Sequence, residues 1–169
     1  SALMDLDTLA RSADTSTRRG LSMVLNDAAL SLLRHPDYWA YGALSSKETY
    51  DTENEYGRLS LIEQSKIKEF TLSNVTNRSV ESARESSRTT DTSKAPSEYI
   101  SVTFVVASDG KLNLPRKISS AADLRSALES LGGVDESSIR AVDILWSPQS
   151  LRDTLSKQEL LTDNPDLRG

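Results

Sequence analysis

The chain has 169 residues, 37% hydrophobic and 27% charged, so a packed core is within reach of a single domain spanning 1–169. Twenty basic residues stand against 25 acidic ones, a net charge of -5, which argues against nucleic acid as a partner because a phosphate grip needs a local excess of Lys and Arg. Cysteine is absent, excluding disulfides, thiolate nucleophiles and cysteine-ligated metal, and no stretch has the roughly 20 apolar residues of a membrane-crossing helix. Composition describes a soluble, mildly acidic α+β domain and does not say what it does.

In chain order, Leu3, Leu6, Ala10 and Ala13 are spaced as the apolar stripe of a short helix. Residue 1 already falls within that pattern, which suggests a segment of a longer chain. The run 14–17, Asp-Thr-Ser-Thr, is rich in N-cap residues. It opens a second helix with Leu21, Val24, Leu25, Ala28 and Leu32 on one face, completing an N-terminal helical pair. Arg34 and His35 close that helix as cations at its negative end, and Pro36 stops it. Residues 39–44, beginning among Tyr38, Trp39 and Tyr41, read as a strand. From Thr52 to about Asn74 the pattern is helical, and Ser60 with Glu63 forms a capping box that predicts a fresh helix start.

Between 78 and 97 nearly half the residues are Ser or Thr and Val80 is the one sizeable apolar side chain. Such a segment cannot offset its ordering entropy by burial, so it reads as a disordered internal loop. Its interleaved Arg78, Arg84, Arg88 and Lys94 leave open either phosphorylation or a neutral spacer. The two sequons at Asn74 and Asn77 are what a Ser/Thr-rich run produces by chance. Residues 99–107 alternate as a strand with one buried face, and Asp109-Gly110 predicts a hairpin turn returning through 111–114. Ser120 caps a leucine helix closed by Gly132, 139–146 forms another strand, and Ser156 with Glu159 opens a last helix. The sum is a small three- to four-stranded sheet covered by helices, its last two long strands paired; the hairpin reading and a parallel crossover through the leucine helix both stand.

Chemistry is sparsely signalled. His35 is the single histidine, so zinc is improbable, and a Ser-His-Asp triad would have to use His35 with Asp37. No nucleophile elbow, phosphate-binding loop or dinucleotide fingerprint is present. The residues therefore assign no catalytic, cofactor-binding or metal site. Arg34, His35, Asp37, Tyr38, Trp39 and Trp146 are the candidates for an interaction surface or a structural joint, because Trp and Tyr serve both binding hot spots and cores. As a joint, His35 would contribute a side-chain hydrogen bond. As an enzyme, the chain would be a hydrolase or transferase built near His35 and Asp37; as a sensor, a pH-responsive module relying on His35 or a raised carboxylate.

Several segments together resemble a family. The run 14–17 followed by Gly20-Leu21, then 32–39 (Leu-Leu-Arg-His-Pro-Asp-Tyr-Trp), Leu59-Ser60 with Glu63 and Lys66, Glu98-Tyr99-Ile100 with Val102-Thr103, the leucine helix from Asp123, Ala141-Val142 with Leu145-Trp146, Pro148-Gln149, Asp153-Thr154-Leu155 and Pro165-Asp166-Leu167-Arg168 occur in order. They resemble uncharacterised proteins of cyanobacteria and plant chloroplasts, a family that includes the fluctuating-light-acclimation protein of chloroplast membranes. The chain departs from that pattern at 142–146 and at 65–67. The resemblance implies a non-enzymatic regulatory role in acclimating photosynthesis to fluctuating light, through proton-linked non-photochemical quenching. It supplies no catalytic residues and no cofactor. It also implies a chloroplast location at the thylakoid or envelope membrane with this domain on the stromal side, other chloroplast membrane proteins as partners, and a transit peptide and hydrophobic segments upstream of residue 1.

Overall fold

The computed structural model describes residues 6, 8, 9, 15–84, 99–147 and 157–167, with residues 69–84 described by their backbone. The elements run in the order α1 (Arg18–Leu33), a 3-10 turn (Pro36–Tyr38), α2 (Thr52–Arg84), β1 (Ser101–Ser108), α3 (Ala121–Gly132), a 3-10 turn (Glu136–Ser138), β2 (Ile139–Ser147) and α4 (Lys157–Asp163). Of the first predicted helix, Leu6, Thr8 and Leu9 are helical, with Leu6 fully buried, and the rest lies outside the described residues. Among the described residues no helix is long and apolar enough to cross a membrane.

The caps explain where the shorter helices begin. The Thr17 hydroxyl accepts from the Gly20 backbone N–H at 3.0 Å, and the Ser120 hydroxyl accepts from Asp123 at 3.2 Å while Asp123 reaches back to Ser119. The box at Ser60 does not start a helix. Helix α2 is continuous from Thr52, its first turn served by the Asp51 carboxylate, which accepts from the Asn54 N–H at 3.3 Å. It runs on to Arg84, so residues 78–84 of the expected loop are helical; the remainder of that loop lies outside the described residues. Cooperative propagation adds one hydrogen bond per residue, and this carries the helix past the end of its apolar stripe. The Ser156 cap also lies outside the described residues, just ahead of α4.

The fold is α+β, but among the described residues the sheet has two strands, β1 and β2, paired antiparallel from Ser101↔Ser147 to Ala107↔Ala141 with a bulge before Ser108↔Ile139. Antiparallel pairing excludes the parallel crossover. The hairpin is absent as well: Gly110 does adopt a left-handed φ of 79°, yet residues 111–115 form no strand, and β2 pairs with β1 only after α3 has intervened. The expected strand at 39–44 is not formed. Pro36–Tyr38 is a 3-10 turn, and the following segment makes one isolated bridge residue, Gly42. Aromatic content raises strand propensity only where a neighbouring strand is in register, and β1 takes its register from β2.

Directly opposed residues of an antiparallel ladder share a face. One face, carrying Thr103, Val105, Asp143 and Leu145, is covered by α2. On the other face α1 packs against β2 and against α3. The two helices approach closely where Ala29 meets Gly132, and the Asn26 amide donates to the Gly132 carbonyl at 2.6 Å. Leu25, Ala28, Ala29, Ala127, Leu128 and Ile139 are buried in the core this creates.

Candidate functional site

The segment after α1 is a tight joint. The Arg34 N–H donates to Leu30, the His35 N–H to Leu32 at 3.2 Å, and Pro36 opens a turn closed by Tyr38 N–H to the His35 carbonyl. The Trp39 indole then reaches back, donating to the Leu32 carbonyl at 2.9 Å. That bond satisfies an end-of-helix carbonyl and fixes where the chain leaves α1. The His35 ring packs on Tyr38, centroids 6.0 Å apart, and makes no hydrogen bond among the described residues, so the joint is held by Trp39 rather than by His35. Arg34 and Asp37 are exposed, and Tyr38 is 83% exposed.

Beside the joint lies a groove of about 1090 Å³. Its lining takes in both faces of β1: Val102, Phe104 and Val106 with Leu124, Leu128 and Leu131 of α3, and Thr103 and Val105 with Leu59, Glu63 and Lys66 of α2. Helix α1 packs against β2, and Val102, Phe104 and Val106 on the same side of β1 are half-buried. The chain from His35 through Tyr38, Trp39, Tyr41 and Gly42 forms an aromatic rim. A cation sits over each of two rim rings: the Arg125 guanidinium lies 5.5 Å from the Trp39 ring centre and the Lys157 ammonium 5.9 Å from that of Tyr41. A hydrogen bond with the Tyr41 hydroxyl holds the Lys157 ammonium above its ordinary pKa.

A second polar cluster sits on the opposite face of the sheet. Tyr56, Ser60 and Gln64 recur every four residues along α2, one face of a helix. Ser60 donates to the Asp143 carboxylate, and Gln64 donates to the same oxygen at 3.1 Å. Burial, with the Asp143 charge beside it, pushes the Tyr56 hydroxyl up to about 12.

The structure gathers three of the six candidates, His35, Tyr38 and Trp39, in the lining of the groove, and Arg34 is not among its described lining residues. Trp146 stands apart, opposite Val102 on β2, and is not among the described lining residues. His35 lines the groove whereas Asp37 is exposed and does not, so the pair proposed for a triad is not brought together there. Among the described residues no group of three or more His, Asp or Glu side chains could hold a metal ion. The groove walls and the two rim cations were not singled out by the sequence. The polar stripe at 56, 60 and 64 was legible as a helical period, but its partner on β2 was not.

A family described as Protein of unknown function (DUF1517) matches residues 1–169. The chain belongs to that family. Protein FLAP1 homolog A of Synechocystis sp. is 39% identical over 170 residues, covering 97% of this DUF1517 chain and 51% of the relative. FLUCTUATING-LIGHT-ACCLIMATION protein 1, chloroplastic, of Arabidopsis thaliana is 42% identical over 167 residues, again covering 97% of this chain but 41% of the relative. The DUF1517 chain thus spans about half, or less, of the length of these relatives. The family resemblance read from the ordered motifs is borne out. No solved structure matches the chain.

Proposed function

We propose that this chain is a regulatory interaction domain, without catalytic activity, of a protein that acclimates photosynthesis to fluctuating light in the chloroplast. The single observation that carries the role is the 42% identity, over nearly the whole chain, to an Arabidopsis protein named for that acclimation. The apolar groove beside the Trp39 joint supports binding over chemistry, because concave apolar walls with a few polar groups at the mouth retain a ligand rather than move its protons. The finer reading places the domain on the stromal side of the thylakoid or envelope membrane, working with other chloroplast membrane proteins to control proton-linked non-photochemical quenching.

The test exchanges this chain for the matching stretch of the Synechocystis relative in a strain deleted for that relative. Growth and chlorophyll-fluorescence quenching are then followed under alternating strong and dim light. The expected result is restored growth with the native chain and no restoration with Phe104→Glu at equal protein level. A deletion strain indifferent to changing light, an exchange that restores nothing, or a Phe104→Glu chain that restores everything would overturn the reading.

A further inference from the structure

We propose that Asp109-Gly110 is a site of covalent modification, where the backbone isomerises to isoaspartate and makes the aged chain a substrate for an isoaspartyl carboxyl methyltransferase. Instead of closing a hairpin, the pair stands as an open bend where the chain leaves β1. Three observations carry the reaction. The first is the nucleophile. Asp109-Gly110 is the one place in the chain where Gly follows Asp or Asn. A residue without a Cβ lets its own nitrogen turn toward the preceding side chain. Gly110 already holds a φ of 79°, with nothing within 4 Å of where a Cβ would stand. Its N–H donates to no acceptor among the described residues, so no hydrogen bond has to break before the nitrogen attacks.

The second is the carboxyl. The Asp109 side chain is 60% exposed, and it pairs with Arg140 at 3.7 Å, whose side chain is 47% exposed. So open a pair contributes little and does not keep the carboxyl from taking up a proton. The third is the frame. The Asp109 N–H donates to the Ser138 carbonyl at 2.8 Å, and the Ser108 hydroxyl donates to the Gly110 carbonyl at 3.4 Å. Both residues are thus held in the bend through groups that take no part in the reaction, while the two reacting atoms stay near each other. The Gly110 nitrogen bonds to Cγ of the protonated Asp109 carboxyl and loses its proton, and one carboxyl oxygen departs as water. The resulting succinimide takes back one water. Opening at Cγ restores aspartate; opening at the former backbone carbonyl routes the chain through Cβ and Cγ and frees an α-carboxylate. No redox partner is needed, and the net composition is unchanged. The main chain gains one carbon immediately after the Asp109–Ser138 bond, which loosens the end of β1.

The experiment ages the full chain for weeks at neutral pH and growth temperature, beside a short peptide spanning 106–113. Peptide mapping with fragment ions diagnostic of isoaspartate locates the product. Methyl transfer from labelled S-adenosylmethionine by the methyltransferase counts it, as the methyl carbon bonds to an α-carboxylate oxygen and S-adenosylhomocysteine leaves. Position 109 is expected to accumulate isoaspartate ahead of every other Asp and Asn in the folded chain. Asp109→Glu, which would need a six-membered ring, is expected to lose the signal at that position. Gly110→Ala is expected to lose most of it; melting identifies either variant that fails to fold, leaving the other to decide. The aged fraction, separated by ion exchange, is expected to unfold at a lower urea midpoint and to recover after repeated methylation. Absence of isoaspartate at 109 once the peptide has isomerised, a product concentrated at another position, or a full signal from a folded variant would overturn the proposal.

Discussion

The carbonyl oxygen of Leu32 accepts both the His35 backbone N–H and the Trp39 indole N–H, so both its lone pairs are used at the end of α1. Trp39→Phe keeps most of the ring and removes one donor. It is expected to lower stability by about 1 kcal/mol, read from the midpoint of urea unfolding. His35→Ala, whose ring packs on the exposed Tyr38, is expected to cost less than Trp39→Phe in the same measurement. Across the sheet, Tyr56 gives an alkaline signature. Its hydroxyl is pushed from 10.0 up to about 12, first by burial and then by Asp143, so the folded state holds the phenolic proton more tightly than the unfolded chain. Its contribution is complete below pH 10 and is lost as pH climbs through about 12. Unfolding midpoints followed over that window should fall less steeply in Tyr56→Phe, and the same variant should lose a late-ionising phenol from the alkaline absorbance titration.

At the scale of elements, Thr17 and Ser120 each place one hydroxyl on an orphan backbone N–H, and each replacement by Ala is expected to cost about 1 kcal/mol in thermal or urea unfolding. These helix starts were legible because a cap is a local event, completed within three residues. Ser60 shows the limit of that logic. The same Ser-x-x-Glu signature stands inside α2, where Asp51 has already opened the helix and Asp143, 83 positions away, takes the Ser60 hydroxyl. The two long strands were legible from their alternation, whereas the third failed because residues 39–44 carry strand-forming side chains without a strand in register to receive them. The candidate site was half legible. Aromatics around Pro36 mark a joint in any sequence, but Val102, Phe104, Leu124 and Leu128 spell the same pattern whether they touch or face one another across a groove.

For the molecule as a whole, Gly42 marks where the rim segment meets the elements behind it. A Cβ built there would lie 3.1 Å from the Ile118 side chain and 3.5 Å from Leu124, so the rim segment runs against the groove wall because that position has no side chain. Gly42→Ala is expected to destabilise by about 1 kcal/mol, with circular dichroism unchanged. Melting and circular dichroism on the same preparation check both.

The ladder of β1 and β2 joins residues far apart in the chain, Ser101 with Ser147 and Ala107 with Ala141, with α3 lying between. No short turn can zip such a pair, so its first contact waits on closure of the whole intervening segment. Once α3 has docked, the two strands are delivered together, and when α3 lets go they part together. Two walls of the groove, β1 and α3, belong to that one closure event. A partly folded chain therefore has no half-formed groove to offer, and any ligand held there would report on completion of the fold.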